Sequence, residues 1–153
     1  MLEKRPYEKM KFYQQICEIR KFVYEITKNF EKSHIRLISQ MRDAARSAKQ
    51  NIKEGYRKGS LGEYMNSLRI SLGSLEELSG GMEDCYEDNL IDKENFDNFC
   101  ALYKSVTYMT GQYLRSLYKI EREGTWRVPG ARFRKSNLTK PNATFRNLTQ
   151  LSR

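Results

Sequence analysis

The chain has 153 residues and a net charge of +9, and it is long enough to bury a core without disulfides or metals to hold it together. Charges run through its first eleven residues and no apolar run approaches a membrane span of roughly 18 residues, which points to a cytoplasmic protein, neither secreted nor membrane-inserted. Cys17, Cys85 and Cys100 contain no C-x-x-C pair and fall on apolar helical faces, so reduced thiols acting as small hydrophobes are expected in place of a disulfide framework or a zinc site.

Four apolar stripes step by threes and fours, the spacing of a helix seam. Helix one carries Phe12, Ile16, Ile19, Val23, Ile26 and Phe30. Ser33 is the expected N-cap of helix two, in which Leu37, Ile38, Met41, Ala44, Ala45, Ala48 and Ile52 fall within about 120° of arc. Gly55 is the expected left-handed stop. Ser60 with Glu63 forms a capping box opening helix three, whose stripe is Leu61, Met65, Leu68, Leu72, Leu75 and Met82. Asp92 caps helix four, with Ile91 and Phe96 spaced as a hydrophobic staple ahead of Phe99, Tyr103, Val106, Tyr113, Leu117 and Ile120. Loops of a few residues force consecutive helices to run antiparallel. The expected fold is all-α, an antiparallel up-down-up-down four-helix bundle over residues 1–121.

Beyond residue 121 Gly124, Pro129, Gly130 and Pro141 interrupt any stripe, leaving a basic, largely irregular C-terminal tail at 122–153. Asn137-Leu-Thr139, Asn142-Ala-Thr144 and Asn147-Leu-Thr149 repeat within it and match the N-glycosylation pattern; in a chain without an export signal they read as a polar extension.

The positive charge is unevenly placed. Residues 122–153 carry +7 and residues 34–60 carry +5, whereas 61–95 carry −7. On helix two Arg42, Arg46, Lys49, Lys53 and Arg57 recur at steps of four, three, four and four, with Lys58 directly after. Five cations along about 22 Å of helix can track a phosphate backbone. The same stripe has a second reading, as a solvated face or a partner for the acidic third helix. In the tail Arg127, Arg132, Arg134 and Lys135 interleave with Trp126 and Phe133, rings on which bases can stack.

On the other flank of helix two, Gln40, Ser47, Asn51 and Glu54 border the apolar arc, opposite Ser67, Ser71 and Ser74 of helix three. Polar groups at the edge of a core need partners, so these are expected to bond across a close helix pair or a subunit interface. Nothing announces catalysis or a cofactor. His34 is the sole histidine, and no motif ties it to a nucleophile. The glycines of Gly55-Tyr-Arg-Lys-Gly59-Ser-Leu-Gly62 lack the strand and the G-K-[ST] ending of a phosphate loop. They read as turn residues.

The run Leu37-x-x-Gln40-x-Arg42-x-Ala44-Ala45-x-Ser47-x-x-x-Asn51-Ile52-x-Glu54-Gly55, followed by Ser60, Glu63-Tyr64, Leu68 and Gly73-Ser74-x-x-Glu77-Leu78, resembles the four-helix-bundle family encoded in intervening sequences of 23S ribosomal RNA genes. The resemblance spans roughly residues 12–120, with Lys53 standing where the family more often has alanine and Ala48 where it has isoleucine or valine. It implies a bundle that assembles as a homo-oligomer, often a ring-like pentamer, with a role in binding RNA or DNA. The family also looks related to the accessory variability proteins of diversity-generating retroelements, which implies a reverse transcriptase as a partner. A scaffold that binds protein alone, its stripe paired across subunits with Glu76, Glu77, Glu83 and Asp84, is the alternative.

Overall fold

The computed structural model describes residues 3–126; the expected tail contacts Arg127, Arg132, Phe133, Arg134 and Lys135 lie outside the described residues. Four helices account for the fold: α1 Lys11–Thr27, α2 Ile35–Arg57, α3 Leu61–Glu87 and α4 Lys93–Glu123, with short 3-10 turns at Pro6–Lys9 and Lys32–His34. Each packs against its neighbours in the chain and α1 closes onto α4, with α2 and α3 the most intimate pair. This is the expected antiparallel bundle.

The core follows the stripes. Ile16, Ile19 and Val23 of α1 meet Ala48 and Ile52 of α2, Met65, Leu68, Leu75 and Met82 of α3, and Phe99, Val106 and Leu117 of α4 in one buried cluster. Leu72 is only half-buried, while Tyr64 and Leu78 are fully buried.

Both predicted N-cap side chains accept as expected, although among the described residues the Glu63 side chain does not return the second bond of a capping box to Ser60. Ser60 Oγ accepts from the Glu63 N–H at 3.1 Å, and Asp92 Oδ1 accepts from the Asn95 N–H at 2.7 Å. Elsewhere the boundaries differ. Ser33 is not the cap of α2: it lies inside the Lys32–His34 turn, and His34 precedes the helix with no side-chain cap bond. A capping residue must be extended for its side chain to fold back, and here the chain enters α2 already turning. Gly55 is not a stop either. It is buried inside α2, which runs on to Arg57, and the left-handed residue is Gly59 at φ 79°. A Cβ on Gly55 would stand 2.2 Å from Ser67 Oγ and 3.0 Å from the Glu63 carbonyl, so this glycine exists to let α3 approach.

At the other end of the sequence, α4 reaches Glu123, two residues past the expected boundary. It closes on left-handed Gly124, with the Thr125 N–H donating to the Ile120 carbonyl, a Schellman stop. Helix α1 ends at Thr27, leaving Phe30 half-buried in the following turn.

A tyrosine-rich floor closes the end of the bundle where α1 and α3 begin and α2 and α4 finish. Tyr7, in the first 3-10 turn, is 1% exposed and lies edge-on to Tyr13 and tilted against Tyr56, at 5.0 and 4.9 Å. Tyr56 meets Tyr64 at 5.4 Å, and the Tyr64 hydroxyl donates to that of Tyr113 at 3.1 Å. Trp126, one of the two tail rings on which bases can stack, stacks within the bundle on Tyr64 at 5.7 Å and 27°. It is half-buried against the core.

Candidate nucleic-acid interface

The two flanks of α2 separate as their sequence patterns require. Toward α3, the hydroxyls of Ser47 and Ser74 lie 3.1 Å apart, and Asn51 Nδ2 donates to both the carbonyl and the hydroxyl of Ser47. Fully buried Ser71 donates to the Ala48 carbonyl at 2.7 Å. These groups are spent inside the molecule, joining α2 to α3. Gln40 and Glu77 are exposed and border an open cleft of about 240 Å³ with Leu37, Met41 and Asp84. Glu54 turns outward to Arg57.

The cationic line divides. Arg42 is engaged with α1: its Nε donates to Thr27 Oγ1 at 2.9 Å and its guanidinium sits 4.4 Å from the centre of the Tyr24 ring. Arg57 is bound to Glu54 at 2.9 Å, with both side chains more than half exposed, a surface pair of little energetic weight. Arg46, Lys49, Lys53 and Lys58 have no ion pair or side-chain hydrogen bond among the described residues. Beyond Arg57–Glu54, the only ion pair there is Lys93–Asp97. The stripe and the acids of α3 therefore do not neutralise one another within the described chain.

The antiparallel path sorts charge along the bundle axis. Residues 74–108 form the far halves of α3 and α4; they carry nine acids against Lys93 and Lys104, and the α1–α2 connection at the same end offsets this only slightly, with Lys28, Lys32, Arg36 and Arg42 against Glu25, Glu31 and Asp43. Residues 47–73, at the tyrosine-floored end, carry Lys49, Lys53, Arg57, Lys58 and Arg69 against Glu54 and Glu63. The N-terminal turn brings Arg5 to this end as well, where its charge opposes the burial that raises the Tyr7 and Tyr56 hydroxyl pKa values.

The floor contains polar atoms with unmet needs. The Tyr7 and Tyr56 hydroxyls, Glu121 Oε2 and Trp126 Nε1 are buried with no hydrogen-bond partner among the described residues. Burial holds the Glu121 carboxyl above its usual range, with Arg122 and Arg69 pulling the other way. Burial likewise pushes the Cys85 thiol up to about 11. Sequence patterns miss this floor because Tyr7 precedes the first stripe and Trp126 follows the last; a buried aromatic outside any periodic run leaves no pattern to find. Composition holds one signal, the ten tyrosines.

Among the described residues no three His, Cys, Asp or Glu side chains are grouped to hold a metal, and no helix is long and apolar enough to cross a membrane. The 240 Å³ cleft and a second of about 190 Å³ between α2 and α3 fall below the about 300–1,000 Å³ of usual small-molecule pockets.

Fold and surface together define an all-α four-helix bundle with a polar-zippered α2–α3 pair and charge segregated along its axis. The chain belongs to the family of 23S rRNA-intervening sequence proteins, whose pattern it matches over residues 8–112. A similar fold occurs in the crystal structure of a protein of unknown function from the S23 ribosomal protein family of Bacteroides thetaiotaomicron VPI-5482, with TM-score 0.52 and 19% identity over 68% of this chain and 92% of that one. No curated protein matches the chain.

Proposed function

We propose that the chain is a non-catalytic, oligomeric accessory protein that binds RNA or DNA through the phosphate backbone, with α2 as its contact surface. The observation that supports this reading is the set of exposed or half-exposed cations Arg46, Lys49 and Lys53 on α2 and Lys58 directly after it, without side-chain partners among the described residues, while nine acids of the α3–α4 region gather at the far end. A phosphate-tracking surface needs cations that are free to move onto a backbone, and it binds with little regard to base sequence. Repetition of the stripe in an assembled ring would let several weak surfaces act together. The proposed protein partner is a reverse transcriptase, as the resemblance to retroelement accessory proteins implies. The triple variant Arg46→Gln, Lys49→Gln, Lys53→Gln should bind more weakly across all sequences. Its slope of log affinity against log salt should flatten by about 0.9 for each duplex phosphate that is no longer neutralised. Binding identical to wild type would remove α2 as the site.

A second reading has its own observation. Glu76, Glu77, Glu83 and Asp84 are exposed on α3 without ion-pair partners among the described residues. If a neighbouring subunit's stripe pairs with them, the chain is a protein scaffold whose assembly dissociates at high salt and which binds no nucleic acid.

A further inference from the structure

Nine of the chain's ten tyrosines meet another ring, an arginine or a hydrogen-bond partner within the bundle. Tyr108 has none of these among the described residues, and at 68% it is the most exposed large hydrophobic side chain there. At about 100° per residue it falls on the side of α4 opposite Phe99, Val106, Leu114 and Leu117, which enter the core. Lys104, Gln112, Arg115 and Lys119 share that outer side within an arc of about 80°, and all four are exposed. The three cations have no ion pair among the described residues, and from Asn98 to Ile120 the chain holds no acid. Because α4 packs on α1 and α3, this face lies across the bundle from the α2 stripe. A single exposed ring needs no explanation; a ring set between cations on an acid-free face complements a polyanion that carries rings of its own.

We propose that the outer face of α4 is a second nucleic-acid site, selective for single strands: a base stacks on Tyr108 while Lys104, Arg115 and Lys119 hold phosphates on either side of it. The inference rests on the nucleic-acid-binding reading above and adds to it a separate surface with a different form of ligand. Within a duplex the bases stack on one another and offer no face to a side chain. A single strand does offer one, and stacking on an aromatic ring accepts any base. The distance from Lys104 to Lys119, about 22 Å along the helix, gives the strand room on both sides of the ring. The α2 stripe has cations and no exposed ring, so it follows the backbone of either form.

The test uses the full chain and labelled probes about 16 nucleotides long, the upper end of usual single-strand sites. The probes are oligodeoxythymidine, an abasic strand with the same phosphates and no bases, and a duplex. The wild type should prefer oligodeoxythymidine to the abasic strand on the order of tenfold. Tyr108→Ala leaves the net charge unchanged, yet it should lower affinity for oligodeoxythymidine on the order of tenfold and erase that preference, with duplex affinity unaltered. Tyr108→Phe should bind as the wild type does, because the ring and not the hydroxyl makes the stack. Lys104→Gln with Arg115→Gln should flatten the single-strand salt slope by about 0.7 for each phosphate no longer neutralised. Helicity and mass measured in parallel show that each variant is folded and how it assembles. Wild-type affinity for oligodeoxythymidine in folded Tyr108→Ala would overturn the proposal while leaving the binding reading intact. So would a wild type that binds only duplex, or a Tyr108→Ala chain that falls apart into smaller species, the mark of a second copy seated on this face. A wild-type chain that binds none of the probes would overturn both.

Discussion

The α2–α3 seam and the α1–α4 seam hold the same bundle together by different means. Along α2–α3 the contact is made by what is missing: the small residues Ala48 and Gly55 let the helices approach closely enough for Ser47 and Ser71 to bond across. Along α1–α4 the helices are held by rings, Phe12 against Tyr113 at 4.9 Å and Phe22 facing Phe99 at 6.2 Å. Close approach makes a seam sensitive to any added atom, whereas a ring-filled seam is sensitive to atoms removed.

The largest test of this contrast removes a ring. Phe99 is 1% exposed, and Phe99→Ala should cost about 3–5 kcal/mol through lost burial and the cavity left behind, read as a lower urea midpoint. Next comes an addition on the other seam. Gly→Ala inside a helix ordinarily gains up to about 1 kcal/mol, but Gly55→Ala should cost about 1–3 kcal/mol because its methyl meets Ser67 and forces the helices apart. Ser67→Gly in the same chain should recover part of that loss, a coupling that a double-mutant cycle in urea would measure. Independent effects of the two changes would mean that Gly55 is not set by this contact.

The smallest effect concerns Glu121, at the floor where both seams end. Because burial raises its pKa, the folded chain holds this proton more tightly than the unfolded one. Its ionised form therefore subtracts stability at neutral pH, and the penalty disappears as pH falls below the ordinary carboxylate range. Glu121→Gln should raise the thermal midpoint slightly at pH 7, with the gap from wild type closing in acid. A gap independent of pH would show that the carboxyl is not desolvated.

How much of this was legible in the sequence follows from the physics of each signal. The stripes gave the helices and their antiparallel order because burial repeats every three to four residues. Ser60 and Asp92 were readable as caps because each is a short polar acceptor directly before an apolar stripe, with Glu63 three residues on in the first case and the Ile91–Phe96 staple around the second. Ser33 was misread because a hydroxyl in the right register does not reveal that the backbone is already turning. Gly55 was misread because a glycine that ends a helix and one that admits a neighbour look alike without the neighbour. At the interface, the opposite flanks of α2 were legible from their angular separation. The commitment of Arg42 to Tyr24 and Thr27, and of Trp126 to Tyr64, joins residues 15 to 62 positions apart and leaves no mark in local pattern.

The sorting of charge along the axis also bears on kinetics. A body positive at one pole and negative at the other experiences a torque in the field of a polyanion well before contact, and turns its basic pole forward as it approaches. For the nucleic-acid binding proposed above, encounters would then begin in roughly the productive orientation, so salt would slow the arrival of the chain as well as hasten its departure.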